Sequence, residues 1–313
     1  MEVSERDAQS ASVIPITAAT VNDPFSRFNT PSSPILFPVG ERHVGWQRRD
    51  GSYQPTTSHK AIIRLNEKGD NAALLNIVGA SYKLVHNREL FTAVEDAMRG
   101  EMLPEHLQDV KVTDSVSGWG KVCYRQYVFP SIRCRIPHTR SDIGFRIIVQ
   151  NGYGGSALRI HAGAIDFYCT NGMIRGEYTS TYRKHTSRLV VGNLNNTVQN
   201  ALLEFANGSK QWTEWSQRGV KHAQVMTLFE KIAASPKMKD NLLDQYTREV
   251  DARGNNLWAV YSTLTYYASH NDGAFALRRS VEEQNTQTST MLQRELNVSR
   301  WVQSPEWRAL ELT

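Results

Sequence analysis

At about residue 193 the spacing of apolar residues changes from a period of two to a period of three to four, and downstream it stays helical. A chain that places its strands first and its helices afterwards is expected to fold as α+β, with an antiparallel, sheet-rich N-terminal half followed by a helical C-terminal half. The strand-like runs begin with KAIIRL at 60–65 and IVGASYKLVHN at 77–87. A helix follows in which Leu90, Phe91, Val94, Ala97 and Met98 recur, capped by Asn87 and ended by Gly100. Five further strands are expected between residues 109 and 170, in DVKVTD, KVCYRQYVF, IGFRIIVQ, SALRIHA and AIDFYCT. NGYGGS has turn chemistry, so IGFRIIVQ and SALRIHA should form a hairpin. Alternation sets Leu158 and Ile160 against Arg159 and His161, and Ile165, Phe167 and Cys169 against Asp166 and Tyr168. That pattern predicts one core face and one polar, aromatic face.

Four helices are expected downstream. Their stripes are Val198, Ala201, Leu202 and Phe205 after Asn195 or Asn196; Val225, Leu228, Phe229 and Ile232, stopped by Ser235-Pro236; Leu242, Leu243, Tyr246 and Val250; and Leu257, Val260, Tyr261, Leu264 and Ala268 after Asn255 or Asn256. Residues 1–58 contain Pro15, Pro24, Pro31, Pro34, Pro38 and Pro55 and read as an extended Pro/Ser/Thr-rich arm, apolar enough at Phe25, Phe28, Ile35, Leu36 and Phe37 to dock. Residues 59–275 form the α+β core domain. Residues 276–313 read as a polar helical extension, exposed along SVEEQNTQTSTMLQREL, with Trp301 and Trp307 as anchors or partner contacts.

Charge is unevenly distributed. The net charge is +5, yet residues 111–190 hold twelve Lys and Arg against Asp114, Asp142, Asp166 and Glu177. A clustered basic region is the footprint of a polyanion binder. Its cations interleave with Trp119, Tyr124, Tyr127, Phe129, Phe145, Tyr153, Phe167, Tyr168, Tyr178 and Tyr182, and single-stranded nucleic acid uses both: cations release counterions from phosphates, and rings stack on bases. The residues expected to make such contacts are Lys121, Arg125, Arg133 and Arg135, together with Arg175, Tyr178, Tyr182, Arg183, Lys184 and Arg188 in the run MIRGEYTSTYRKHTSR. No apolar run is long enough for a membrane span, the N-terminus lacks the pattern of a signal peptide, and Cys123, Cys134 and Cys169 lack paired spacing. A cytoplasmic protein with reduced thiols is the expectation.

No catalytic centre is legible. His161, Cys169 and His185 stand singly rather than in zinc-ligand pairs, so no metal or other cofactor is expected. GYGGSA lacks the lysine and hydroxyl of a phosphate loop, and no nucleophile elbow is present. Asp142, Asp166 and Glu177 are the carboxylates a metal-dependent nuclease would use, although Asp166 near Arg159 reads more simply as a cross-strand ion pair. Asn171-Gly172 reads as a tight turn.

Three segments, IVGASYKLVHNRELF (77–91), SALRIHAGAIDFYCTNGM (156–173) and GNNLWAVYSTLTYYASH (254–270), resemble in order and spacing the phage- and plasmid-related family of domain of unknown function 932, over residues 60–275. The resemblance places a tyrosine and asparagine strand-to-helix element at Tyr82 and Asn87, a turn at Cys169, Thr170 and Asn171, and a tryptophan-bearing helix at Trp258. It implies a mobile-element protein acting inside a bacterial host, similar in layout to phage single-strand annealing proteins. The functional expectation is a non-enzymatic, sequence-tolerant single-stranded DNA-binding or annealing protein in recombination or replication. Its partners would be single-stranded nucleic acid and further copies of itself, joined through the arm or the helix near 280–299, with no membrane and no small-molecule substrate. The alternatives are an interaction protein modulating a host factor through the arm and Trp301 and Trp307, and the nuclease.

Overall fold

The computed structural model describes residues 23–66, 68–153, 158–168, 171–174, 180–183, 194–270 and 287–312. Strands fill the first part of the chain and helices the second, as the change of period predicts, and the fold is α+β. Two antiparallel sheets form. The smaller has the order β1 (Val39–Gln47), β2 (Tyr53–Leu65), β3 (Asn71–Gly79). The larger has the order β4 (Lys111–Ser117), β5 (Val122–Arg135), β6 (Asp142–Gly152), β7 (Leu158–Asp166), β8 (Asn171–Ile174), with β9 (Ser180–Arg183) also on β7. The β6–β7 hairpin is the one expected from the NGYGGS turn. SALRIHA and AIDFYCT, read as two strands, are one: β7 runs through Gly163 without a break. The glycine is required there because a Cβ would lie 2.0 Å from the Met173 carbonyl oxygen on β8. Asn171-Gly172 likewise belongs to β8 rather than to a turn.

One face of the larger sheet, carrying Tyr127, Phe129, Phe145, Ile147, Val149 and Ile160, packs on α1 (Asn87–Glu101) and α3 (Leu194–Gln217). Rings then run in contact from Phe129 through Phe145, Phe205, Trp212, Trp258, Tyr261 and Trp215 to Trp307. This column joins the sheet to α6 (Leu257–His270) and to the last helix. Three capping bonds start helices: the Ser235 hydroxyl accepts from the Met238 N–H before α5 (Pro236–Arg253), the Asn256 side chain accepts from the Ala259 N–H at the head of α6, and the Ser304 hydroxyl accepts from the Trp307 N–H at the last helix. Short α2 (Pro104–Gln108) and α4 (His222–Ile232) complete this part.

The C-terminal helices correct two expectations. The polar helix, α7 (Gln287–Trp301), is not exposed; it packs on α6, β8 and β4 across the second face of the larger sheet and buries Leu292, Glu295 and Val298. Trp307, in α8 (Pro305–Glu311), is fully buried among Trp215 and Tyr261, which makes it an anchor and removes it as a partner contact. The described part of the arm docks on its own chain: Phe25 and Ile35 are fully buried, and residues from Val39 onward are strand.

Candidate nucleic-acid interface

The arginines of the larger sheet are mostly internal. Arg125 is 0% exposed. Its Nε and Nη2 donate to the two Asp114 carboxylate oxygens at 2.7 and 2.8 Å, and its Nη1 donates to Glu95 at 3.0 Å. Asn29, bonded to both Arg125 and Glu95, and Ser33, bonded to Asp114, tie the arm to this network. Burial pushes the Glu95 carboxyl above its ordinary range, opposed by Asn29, Arg125 and Tyr127. Arg125 is therefore a structural arginine, and its assignment as a nucleic-acid contact is wrong. The signal was present: in KVCYRQYVF it shares its parity with Cys123, Tyr127 and Phe129, the core face.

On the opposite face Arg146 forks onto Glu295 of α7, in the space left by the missing side chain of Gly172. Beside it His161, 2% exposed, has neither ring nitrogen hydrogen-bonded among the described residues. Burial, with Arg159 and Arg146, pushes its pKa down to about 4. The expected division of faces holds only in part: the face of Arg159 and His161 also carries Ile165, is covered, and has Ile148, Ile174 and Leu292 packed together on it, whereas Asp166 shares the core face of Leu158 and Ile160. Asp166 pairs with Arg253 at 3.3 Å, not with Arg159, and Arg253 also bonds Glu249 and Ser141. With Asp142 on Arg133 at 3.0 Å, neither aspartate stands ready for a metal; Glu177, Cys169 and His185 lie outside the described residues. Among the described residues no three His, Cys, Asp or Glu side chains are placed to hold a metal ion.

Among the described residues the remaining predicted contacts do not converge. Lys121 precedes β5 and Arg133 and Arg135 end it beyond a bulge, so Lys121 lies roughly 30–35 Å from the other two along the strand. All three are exposed. Tyr182 and Arg183 sit in β9, paired with Arg159 and Leu158. Arg175, Tyr178, Lys184 and Arg188 lie outside the described residues.

Sequence reasoning found KAIIRL in β2 and the end of β3 but missed β1 and the projecting first half of β2. Past His59, toward the start of β2, the strand pairs with β1 alone, so Val44–Thr57 project as a two-stranded hairpin in which no side chain is buried. Pro55 is tolerated because no third strand asks for its missing N–H. The Tyr53 ring lies over Gly45, where a Cβ would meet it at 2.7 Å, and Arg48 bonds Gln54 beside the turn. Trp46 and Tyr53 are 58% and 57% exposed. The hairpin and its base carry Arg42, Arg48, Arg49, Lys60 and Arg64 against Glu41 and Asp50, with His43 and His59 between. At the far end of β2, Arg64 donates to the Trp119 carbonyl oxygen at 3.1 Å and caps the Phe37 ring at 4.1 Å. Trp119 is 60% exposed and holds a left-handed φ of 62° between Gly118 and Gly120. That backbone state costs a tryptophan on the order of 1 kcal/mol or more, and here it turns the ring outward beside Lys121. Asp50-Gly51, with Gly51 at φ 86°, is a hairpin signal that the proline-rich surroundings obscured.

The three segments of family resemblance are joints between sheet and helices. Tyr82 donates to the Gly152 carbonyl oxygen; the Asn87 side chain donates to the Ile35 carbonyl oxygen and accepts from Asn151. Asn171 bonds Thr265 and His270 of α6, and the Trp258 indole N–H donates to Ser141. No helix among the described residues is long and apolar enough to cross a membrane. No curated protein and no solved structure matches the chain. The profile of domain of unknown function 932 matches residues 74–294, starting later than the resemblance suggested, inside β3, and extending through most of α7. With more than two thirds of its length matched and its motif residues acting as the joints of the fold, the chain belongs to the DUF932 family.

Proposed function

We propose that this protein binds single-stranded nucleic acid without strong sequence preference, and that its binding track runs along β2 from the Trp119–Lys121 turn to the hairpin tip. The observation that carries the reading is the coincidence of exposed rings and cations. Trp46, Tyr53 and Trp119 stay in solvent where burial would be favourable, with Trp46 and Tyr53 on opposite faces of the hairpin so that a strand would wrap it, and Arg42, Arg48, Arg49 and Lys121 lie within a few residues of them along the chain. Each stacked base contributes about 1–3 kcal/mol, and phosphate contacts add a salt-dependent term. The track is about 30 Å long, room for a handful of nucleotides. Self-association belongs to the same reading, because one short track holds a strand weakly and the open edges β1 and β3 allow a second copy to continue the sheet. A phage or plasmid setting, a cytoplasmic location, a binding rather than catalytic role and a part in strand annealing go with this proposal.

The test is anisotropy of a labelled single strand, against duplex, as salt is raised. The expected result is single-strand binding that weakens steeply with salt and drops when Trp46 and Trp119 become alanine. Absence of binding at low salt ends the proposal. Magnesium-dependent shortening of the strand would instead establish the nuclease.

A further inference from the structure

Away from both sheets, α5 and α6 enclose a cleft of about 220 Å³. Its α5 wall is Asn241, Asp244, Gln245 and Arg248, at i, i+3, i+4 and i+7, one continuous stripe of the helix. The neighbouring stripe, Leu242, Tyr246, Glu249 and Arg253, is the buried one. From α6 come Tyr266 and Tyr267, with His270 at the end. The Tyr266 and His270 rings lie 4.5 Å apart at 35°, and His270 is held by Asn171 at 3.1 Å, so this wall is set in advance.

Five of the cleft's seven lining side chains have polar groups uncommitted among the described residues; Gln245 bonds Glu249 and His270 bonds Asn171. Asn241, Asp244, Arg248 and the two tyrosine hydroxyls make no hydrogen bond or ion pair among the described residues. Asp244 and Arg248 stand at the i,i+4 spacing that favours a helix ion pair, yet they do not bridge. The volume lies below the 300–1,000 Å³ of ordinary cofactor sites, and the cleft is open to solvent, so it suits a base held inside with the rest of a small ligand along its rim. Ring surface on α6, an acceptor-only carboxylate and amides on α5, and a guanidinium one turn on from the carboxylate, about 6 Å along the axis, match a base at one end and a phosphate at the other.

We propose that this cleft binds a single free nucleotide, its base against the tyrosines and its phosphate on Arg248. Asp244 favours guanine, which offers a carboxylate two adjacent N–H donors. The proposal is independent of the single-strand track.

Calorimetric titration of the full chain with GMP, AMP, CMP and guanosine tests it. GMP should bind tightest and guanosine about tenfold weaker, one charge-assisted contact's worth. Arg248→Ala should bring GMP to the level of guanosine, Asp244→Asn should abolish the preference for guanine over adenine, and Tyr267→Ala should weaken every nucleotide about tenfold. Arg248 and Asp244 are exposed, so both variants keep the wild-type melting curve. A guanine-ended trinucleotide should bind more weakly than GMP; the reverse order overturns the assignment to a free nucleotide. Absence of heat with all four ligands at millimolar concentration, or GMP affinity unmoved by Arg248→Ala together with base preference unmoved by Asp244→Asn, overturns the site. Single-strand binding that survives Arg248→Ala and falls with Trp46→Ala tells the two sites apart.

Discussion

The two sheets of this protein carry similar arginines and aromatic rings and place them differently. In the larger sheet helices cover both faces, so Arg125 and Arg146 end in carboxylate forks and Tyr127 and Phe145 in the core. In the smaller sheet no helix among the described residues covers the projecting hairpin, and Trp46, Tyr53, Arg48 and Arg49 remain exposed. Composition cannot separate these cases, because a basic, aromatic strand reads the same whether a helix lies over it or not. Availability is decided by what the rest of the chain brings to the strand.

The sharpest way to break this comparison is to treat Arg125 as a surface residue. Arg125→Met leaves Asp114 and Glu95 charged and unpaired in the interior, and unfolding in urea should show a loss of about 3–5 kcal/mol. A loss under about 1 kcal/mol would mean the residue is not internal to the fold. Replacing both partners of the other fork, Arg146→Leu with Glu295→Leu, should by contrast be near neutral or stabilising, since the desolvation of two charges disappears with their attraction.

His161 gives the covered face a pH signature. Its folded-state value of about 4 lies below the ordinary 6.5, so between those limits the unfolded chain binds the additional proton. The stability that neutral His161 confers is complete above about pH 6.5 and is lost as pH falls toward 4, by roughly 3 kcal/mol at most. Wild type should lose stability relative to His161→Leu as pH falls through that window; a difference constant from pH 7 to 4 would place the imidazole in water.

Much of this architecture was legible. The change of period, the β6–β7 hairpin and the α1 and α6 stripes follow from local rules that tertiary packing did not override. What escaped depended on contacts distant in sequence. Gly163 and Gly172 look like strand breakers, but their bare faces admit a neighbouring carbonyl and the Arg146–Glu295 pair. α7 looks exposed because its partner, Arg146, lies 149 residues away. Of the predicted contact residues that are described, Lys121 adjoins the proposed track, and β1 was hidden among prolines.

On the uncovered sheet the expected effects are smaller and fall on binding rather than folding. Trp46→Ala should weaken single-strand binding by about 1–3 kcal/mol and leave unfolding within about 0.5 kcal/mol of wild type, as befits a solvated side chain. Arg48→Ala with Arg49→Ala should lower affinity equally for all sequences and flatten the logarithmic salt slope by about two. A drop in stability comparable to that of Arg125→Met would show that the hairpin is packed and would remove the contrast between the sheets.

The smallest effect is expected at the far end of β5. Arg133 is 59% exposed and meets Asp142 at 3.0 Å, a pair open to water, and such pairs contribute about 0–1 kcal/mol. Arg133→Ala with Arg135→Ala should therefore change stability little. It should also leave single-strand affinity and its salt slope unchanged, because these side chains stand roughly 30–35 Å along the strand from Lys121. If the double variant flattens the slope as much as the hairpin variant does, nucleic acid runs the length of β5. The track would then belong to the larger sheet after all, with the buried arginines as its foundation rather than its opposite.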